Sequence, residues 1–273
     1  MTKNKALYEF MEYLPFLKEL VKRDFKMKYY KSFLGVLWTL LNPLILATIM
    51  TIIFSTLFKR SIEYYPIYNI SGHLILTFFV TATKQSLSSV YHHAGVFRKF
   101  KVPQYMYCLS NVTIAFITLL FSSVPMLILA LVLGMPLHFT MLLFPLPIIL
   151  AFIFTMGCSL ILAAYGVFFR DLSHLYGILT YALNFLTPIF YPIEIIPVEY
   201  RFVWDFNPLY LYIRILREVF IYNTIPNEKT LLVATCYAIL TLALGILVFK
   251  EKRSKFILLP YYLLFLLNEI FLC

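Results

Sequence analysis

The stretch RDLSHLYGILTYALNFLTPIFYPIEIIP, Arg170 to Pro197, decides how this chain is built. It opens on a charged pair, Arg170 and Asp171, and then runs apolar like a helix that crosses a bilayer. Only 16 residues, Leu172 to Thr187, lie between those charges and Pro188, and Pro192 and Pro197 follow. A spanning helix needs ~20 apolar residues. Proline removes a backbone donor, and non-helical backbone at membrane depth is tolerated only where protein or water satisfies it. The break predicts a short fifth helix followed by a covered or cavity-lining segment.

The rest of the chain agrees with a membrane setting. Of its 273 residues 62% are hydrophobic and 13% charged, against ~45–50% and ~25% in a soluble domain, and the mean hydropathy is +0.84. The net charge of +10 would suggest nucleic acid in a soluble protein. Here the cations cluster between apolar runs, which points to topology and anionic lipid and to no nucleic-acid partner. Cys108, Cys158, Cys236 and Cys273 are too far apart for a metal or redox motif and read as small apolar fillers.

We read an all-α integral membrane protein with six transmembrane helices, an N-terminal interfacial amphipathic helix, and re-entrant helices between spans five and six. The spans fall at about 34–58, 68–91, 106–133, 141–169, 172–192 and 231–249. Alternation at the period of a strand is absent, which argues against a barrel. This divides the chain into a cytoplasmic N-terminal segment, 1–31, a transmembrane domain, 32–253, and a cytoplasmic or interfacial tail, 254–273. With six crossings, 16 Lys and Arg residues fall on the side of the termini and six on the other, so both termini are expected in the cytoplasm. Lys84 lies inside the second span, either snorkelling to the headgroups or lining a pathway. Pro43 kinks the first span or bends it around a cavity. The tail after Lys255 is apolar but too short to cross.

Two cytoplasmic elements stand out. In PFLKELVKRDFKMKYYKSFLG, Pro15 suits a first helical position, Leu17, Leu20, Val21 and Met27 form an apolar stripe, and Lys18, Lys22, Arg23 and Lys26 take the polar face. Glu19 and Arg23 have the spacing of a helical ion pair. It reads as an interfacial helix, an anchor or a lever beside a partner. The loop YHHAGVFRKFKVPQYMY sets Arg98, Lys99 and Lys101 beside Phe97 and Phe100. Its aromatics fit a partner's groove or the lipid interface.

On the other side, Asn207 is a good N-cap with Pro208 at the first helical position. Leu209, Tyr212, Leu216 and Phe220 recur at helical spacing, Arg214, Arg217 and Glu218 lie elsewhere, and Arg214 and Glu218 make an i,i+4 pair. The segment from Thr187 to Asn227 is too polar to span and too apolar to be free in water. It re-enters the outer leaflet or lies on its surface.

Enzymatic signatures are absent. The sequence holds no H-E-x-x-H, C-x-x-C, G-x-S-x-G or P-loop, and its five histidines have no metal spacing. No acidic residue lies in the middle of a span, which disfavours an ion-coupled carrier. A channel-forming subunit powered by another chain is what remains.

VKRDFKMKYYKSFLGVLWTLLNP, Val21 to Pro43, resembles the entry segment of permease subunits in type-2 ABC exporters. FRDLSHL, TPIFYP and NPLYLYIRILREVF resemble their second half, and the similarity runs from about Leu14 to Lys255. It is most like the branch that exports O-antigen, capsule or teichoic acid. The resemblance implies a homodimer in the bacterial cytoplasmic membrane, paired with two ATPase subunits that hold the ATP and Mg, and moving a lipid-linked polysaccharide outward. Leu17, Leu20, Arg23, Asp24, Tyr29 and Ser32 would belong to a gate helix. Phe97, Arg98, Lys99, Phe100, Lys101 and Pro103, with Arg170 and Asp171, would couple to the ATPase. Pro188, Tyr191, Pro192, Glu194, Asn207, Pro208 and Arg217 would shape the exit. This chain itself would be no enzyme and carry no cofactor or metal. An exporter of a small drug or lipid is the alternative; a membrane glycosyl- or acyltransferase would need a clustered acid, base or nucleophile that the sequence lacks.

Overall fold

A computed structural model describes residues 3–30, 33–57, 62, 64–93, 95, 102–169 and 171–253. Every regular element among them is helical: α1 (Lys3–Tyr29), α2 (Leu37–Leu57), α3 (Tyr65–His92), α4 (Tyr105–Val132), α5 (Pro145–Gly166), α6 (Leu172–Leu186), α7 (Phe202–Asp205), α8 (Pro208–Phe220) and α9 (Glu228–Lys252). A 3-10 turn over Phe139–Leu143 leads into α5. Among the described residues four helices are long and apolar enough to cross a membrane: α2, α4, α5 with its leading turn, and α9. α3 has 28 residues but is diluted by polar groups such as Asn69, His73, Lys84 and Gln85. α6 has 15 residues and is about 22 Å long, shorter than the ~30 Å hydrocarbon core.

The bound at 192 for the fifth span is therefore too long. α6 ends at Leu186, and Thr187 is extended, with φ −89° and ψ 129°. That is the conformation a proline imposes on the residue before it.

α1 departs from expectation in three ways. It starts at Lys3 rather than near Pro15, which lies inside it; the Lys, Ala, Glu, Met and Leu residues upstream favour helix strongly enough to outweigh the bond lost at Pro15. Met27 is 70% exposed, so only Leu17 and Leu20 of the expected stripe are buried. Arg23 pairs with Asp24 at 2.7 Å rather than with Glu19. α1 leans along the first half of α4: Phe16 meets Tyr107, Phe25 meets Phe121, and Lys28 Nζ donates to Thr118 Oγ1 at 3.1 Å.

α3 and α5 form the middle of the bundle, with α4 on one flank and α9 on another. α5 and α9 approach through small residues. Ala234, Ala238 and Gly245 on α9 are buried, and a Cβ at Gly157 of α5 would collide with the Thr241 carbonyl. Without a strong hydrophobic drive between helices in lipid, such backbone approach supplies the packing energy. Polar residues inside α3 turn inward on its own backbone: Ser71 donates to Tyr68 O, Thr83 to Phe79 O and Ser89 to Ser86 O. Tyr176 ties α6 to α3 through a 2.7 Å bond from its hydroxyl to Thr83 Oγ1. Cys108 is buried among apolar side chains as expected, Cys158 is half-buried and Cys236 exposed.

Candidate functional site

The break after α6 becomes intelligible once each freed carbonyl is followed to its donor. Trp204 Nε1 donates to Leu186 O at 2.7 Å and Tyr191 Oη to Phe185 O at 2.9 Å, closing the end of α6. Tyr65 and Tyr68, from the first turn of α3, donate to Phe190 O and Tyr191 O. Arg201 reaches Ile196 O and Glu194 O. Asn207 caps α8 by accepting from Leu209 N and Tyr210 N, and its Nδ2 donates to Thr187 Oγ1, so the start of the break is fastened to the start of the next helix.

Arg217 is at the centre. It is 3% exposed, although its place in the sequence suggested the polar face of α8. Its guanidinium donates to Pro188 O at 2.8 Å, Ile189 O at 3.0 Å, Tyr68 O at 3.2 Å and Ser71 Oγ at 3.3 Å. It also lies 3.4 Å from the centroid of the Tyr68 ring. No carboxylate pairs with it among the described residues. The charge is held by carbonyl dipoles and an aromatic face, which the planar, weakly hydrated guanidinium suits better than an ammonium does. Room for it comes from Gly72, where a Cβ would sit 2.9 Å from Arg217 Nη2 and 2.9 Å from Ile189 Cγ2.

Beside this capped break opens a cavity of about 370 Å³ lined by Glu194, Arg201, Asp205, Tyr210, Glu218 and Tyr222 together with Arg217. Arg214 bridges Glu218 at 2.9 Å, the pair expected from the sequence, and Asp205 at 3.7 Å. Of the expected exit residues, Glu194 and Arg217 line this cavity, Pro188 and Tyr191 present carbonyls to the capping donors, Pro192 leads into the turn over Ile193–Ile195, and Asn207 and Pro208 open α8, most of which is buried.

A second cavity, about 410 Å³, runs between the end of α1 and α2, α3 and α4. Its walls are mostly apolar, from Trp38, Leu46, Ile70, Leu74, Phe78 and Leu119, and are studded with the hydroxyls of Thr39, Thr77, Thr81, Thr118 and Ser122 and the Asn42 amide, with Lys28 and Tyr29 at the α1 end. Pro43, inside α2, lines it too. Among the described residues, the Tyr29 hydroxyl and His73 Nε2 are buried there without a hydrogen-bond partner. His73 meets the Phe190 ring edge-on at 4.9 Å, which connects this groove with the break. Apart from Tyr29 and the Asn42–Pro43 pair these residues were not singled out in the sequence. The signal was present in the four-residue spacing of His73, Thr77 and Thr81 along one face of α3. Lys84 is exposed and lines neither cavity.

Among the gate-helix residues, Leu17 and Leu20 are buried and Tyr29 reaches the groove, while Ser32 lies outside the described residues. The Asp24 hydrogen bond holds the Arg23 guanidinium above its ordinary value, against the opposing effect of burial. Of the coupling residues, Phe97, Arg98, Lys99, Phe100, Lys101 and Arg170 also lie outside the described residues. Pro103 accepts from Met106 N at the start of α4, and Asp171 O accepts from His174 N and Leu175 N at the start of α6. The ends of the chain leading into those segments are neighbours, since Tyr91 and His92 share a cavity of about 180 Å³ with Phe169 and Ser173. No group of metal-binding side chains occurs among the described residues. The site offers hydrogen bonds, aromatic faces and fixed charge.

Residues 16–221 match the family model described as ABC-2 type transporter. The chain belongs to that family. The matched region of this ABC-2 chain runs from α1 to just past the end of α8, so it includes the capped break. The chain is 27% identical over 254 residues to the O-antigen export system permease protein RfbA of Myxococcus xanthus, covering 92% of this chain and 98% of that protein. It is 30% identical over 240 residues to an RfbA of Klebsiella pneumoniae, covering 87% and 92%. It is 22% identical over 244 residues to the polysialic acid transport protein KpsM of Escherichia coli, covering 87% and 93%. Membership makes this ABC-2 chain a transport subunit rather than an enzyme.

Proposed function

We propose that this chain is the membrane subunit of an ATP-driven exporter that moves a lipid-linked cell-surface polysaccharide, such as O-antigen, capsule or teichoic acid, out of the cytoplasm. The observation that carries the reading is the groove, apolar over most of its wall but studded with hydroxyls and the Asn42 amide, that joins the capped break through His73 and Phe190. Sugars offer many hydroxyls and few charges. A wall of threonine, serine and asparagine exchanges hydrogen bonds with them at little desolvation cost, and aromatic side chains supply apolar faces. The names of the RfbA and KpsM relatives support the same substrate class.

In this reading the chain crosses the cytoplasmic membrane six times with both termini inside. α3 and α6 join the four longer spans, and the segment from Thr187 to Asn227 re-enters from the outer side. A short α6 suffices because the capped break completes its crossing. Two copies face each other, each bound to an ATPase subunit. Phe97 to Lys101, Pro103, Arg170 and Asp171 receive the ATPase stroke, and α1 transmits it to the entrance of the groove at Lys28 and Tyr29.

Deleting the protein in its native cell is expected to abolish the surface glycan and to leave its lipid-linked precursor in the cytoplasmic leaflet, read by surface staining and lipid extraction. A normal surface polymer with no precursor accumulating would overturn the proposal. The coupling assignment has its own test. With Phe97→Ala and Phe100→Ala combined, the ATPase subunit is expected to co-purify poorly and export to fall, while the permease stays in the membrane at normal level. Undiminished association and export would remove the loop from the interface.

A further inference from the structure

The export reading leaves unused a trough between α1 and α4, about 650 Å³ in volume. Val21, Phe25, Ile117 and Phe121 give it apolar walls, and Lys18, Lys22 and Lys26 line the same trough. Spaced four apart, the lysines rise in a row on one side of α1. All three are exposed, and none is engaged by an acidic side chain among the described residues. The ion pair on this helix is Arg23 with Asp24, Glu19 does not line the trough, and Lys26 has only the Tyr30 ring, 5.9 Å away.

We propose that this trough binds an anionic glycerophospholipid of the inner leaflet. An acyl chain lies along Val21, Phe25, Ile117 and Phe121, and the phosphate is held by Lys18, Lys22 and Lys26. The placement rests on the topology proposed above, which puts the start of α1 and of α4 on the cytoplasmic side; the trough runs from there along Thr113, Ile117 and Phe121 into the middle of α4. Apolar walls exposed at that level demand hydrocarbon, and a row of unpaired ammonium groups beside them selects a negative headgroup from a surface rich in anionic lipid. The site bears on transport because the same helix ends in the groove. Lys28 bonds Thr118 and Tyr29 lines the entrance, so a lipid wedged between α1 and α4 fixes the entrance geometry.

The test uses the permease purified with its ATPase subunit in mild detergent, from a host that makes no surface polymer, followed by mass spectrometry of the retained lipid. Wild type is expected to retain phosphatidylglycerol or cardiolipin several-fold above its share of the membrane. In the Lys18→Gln, Lys22→Gln, Lys26→Gln variant, checked for a single symmetric peak on gel filtration, that enrichment is expected to vanish. Stimulation of ATPase activity by phosphatidylglycerol in phosphatidylcholine nanodiscs is expected to weaken with it, and the single substitutions serve where the triple variant is not monodisperse. Unchanged enrichment in the variants overturns the proposal. So does finding that the lysines retain a polyprenyl diphosphate rather than a glycerophospholipid. Because the host lacks the polymer, an error in the assigned export substrate leaves these outcomes untouched, and a cysteine-labelling map of Lys18 and Lys229 reports separately on the topology.

Discussion

Arg217→Met is expected to cost the break after α6 its structure and to abolish export. Met matches the length of the arginine stem but donates nothing, so the carbonyls of Pro188, Ile189 and Tyr68 lose their side-chain partner at once. Leaving a buried polar group unpaired costs about 1–3 kcal/mol, and a native protein has only ~5–15 kcal/mol in total. An opposing effect exists, since the substitution also removes a buried charge whose desolvation is costly. The carbonyls decide the balance. They belong to a backbone that two prolines prevent from rejoining a helix, and Tyr68, Pro188 and Ile189 are all buried. Arg217→Lys is expected to fall between wild type and Met: it keeps the charge but cannot fork across three carbonyls or stack flat on Tyr68. Thermal midpoints of the purified protein in detergent, read beside surface glycan in cells, check both. A Met variant with wild-type midpoint and export would show that the break stands without its cap.

Arg217 also shows where the sequence ceases to inform. The helix over Pro208–Phe220, its Asn207 cap and the Arg214–Glu218 pair follow from local rules that act over a few residues, and all are present. The burial of Arg217 does not follow from them. Periodicity assigns a charged residue to the polar face of an amphipathic helix, and Arg214 and Glu218 do face the cavity, but the packing of α8 against α3, α5, α7 and α9 leaves Arg217 buried. The groups that hold the guanidinium lie 28 to 149 residues away along the chain. The break itself was legible because prolines in a short apolar run have one physical consequence, whereas the donors that satisfy it, Tyr65, Tyr68, Trp204, Arg201 and Arg217, come from three separate segments. Pro15 illustrates a different ambiguity. Proline fits the first turn of a helix and is also tolerated, at a cost, inside one, and only the run of helix-favouring residues before it separates the two cases. The hydroxyl groove was hidden for a third reason: serine and threonine in an apolar helix bond their own backbone as readily as they line a cavity, and α3 contains both kinds.

The second large effect is expected from Gly157→Leu, at a position remote from both cavities. α5 and α9 meet backbone to backbone here, and even a methyl at Gly157 would overlap the Thr241 carbonyl and Leu242 N. Those are main-chain atoms, so no side-chain rotation can make room, and α9 must shift as a body. Overpacking a fitted core costs about 1–3 kcal/mol and sometimes more. The upper end applies because α9 is joined to the bundle mainly along α5 and α8. Its remaining faces present Leu232, Ile239, Leu240, Leu244 and Leu247 outward, toward lipid, where moving away from α5 meets little resistance. The variant is therefore expected to give little monodisperse protein, and α9 to become sensitive to protease in detergent while the α3–α4 pair keeps its protection. Gly177→Ala supplies the contrast. Nothing lies within 4 Å of a Cβ built there, and alanine favours the helix over glycine by about 0.8–1.0 kcal/mol, so the melting midpoint is expected to stay level or rise slightly. If both glycine variants were equally stable, the close approach of α5 to α9 would not be what holds α9 in place; if both failed, α6 would be packed against something that this single chain does not contain.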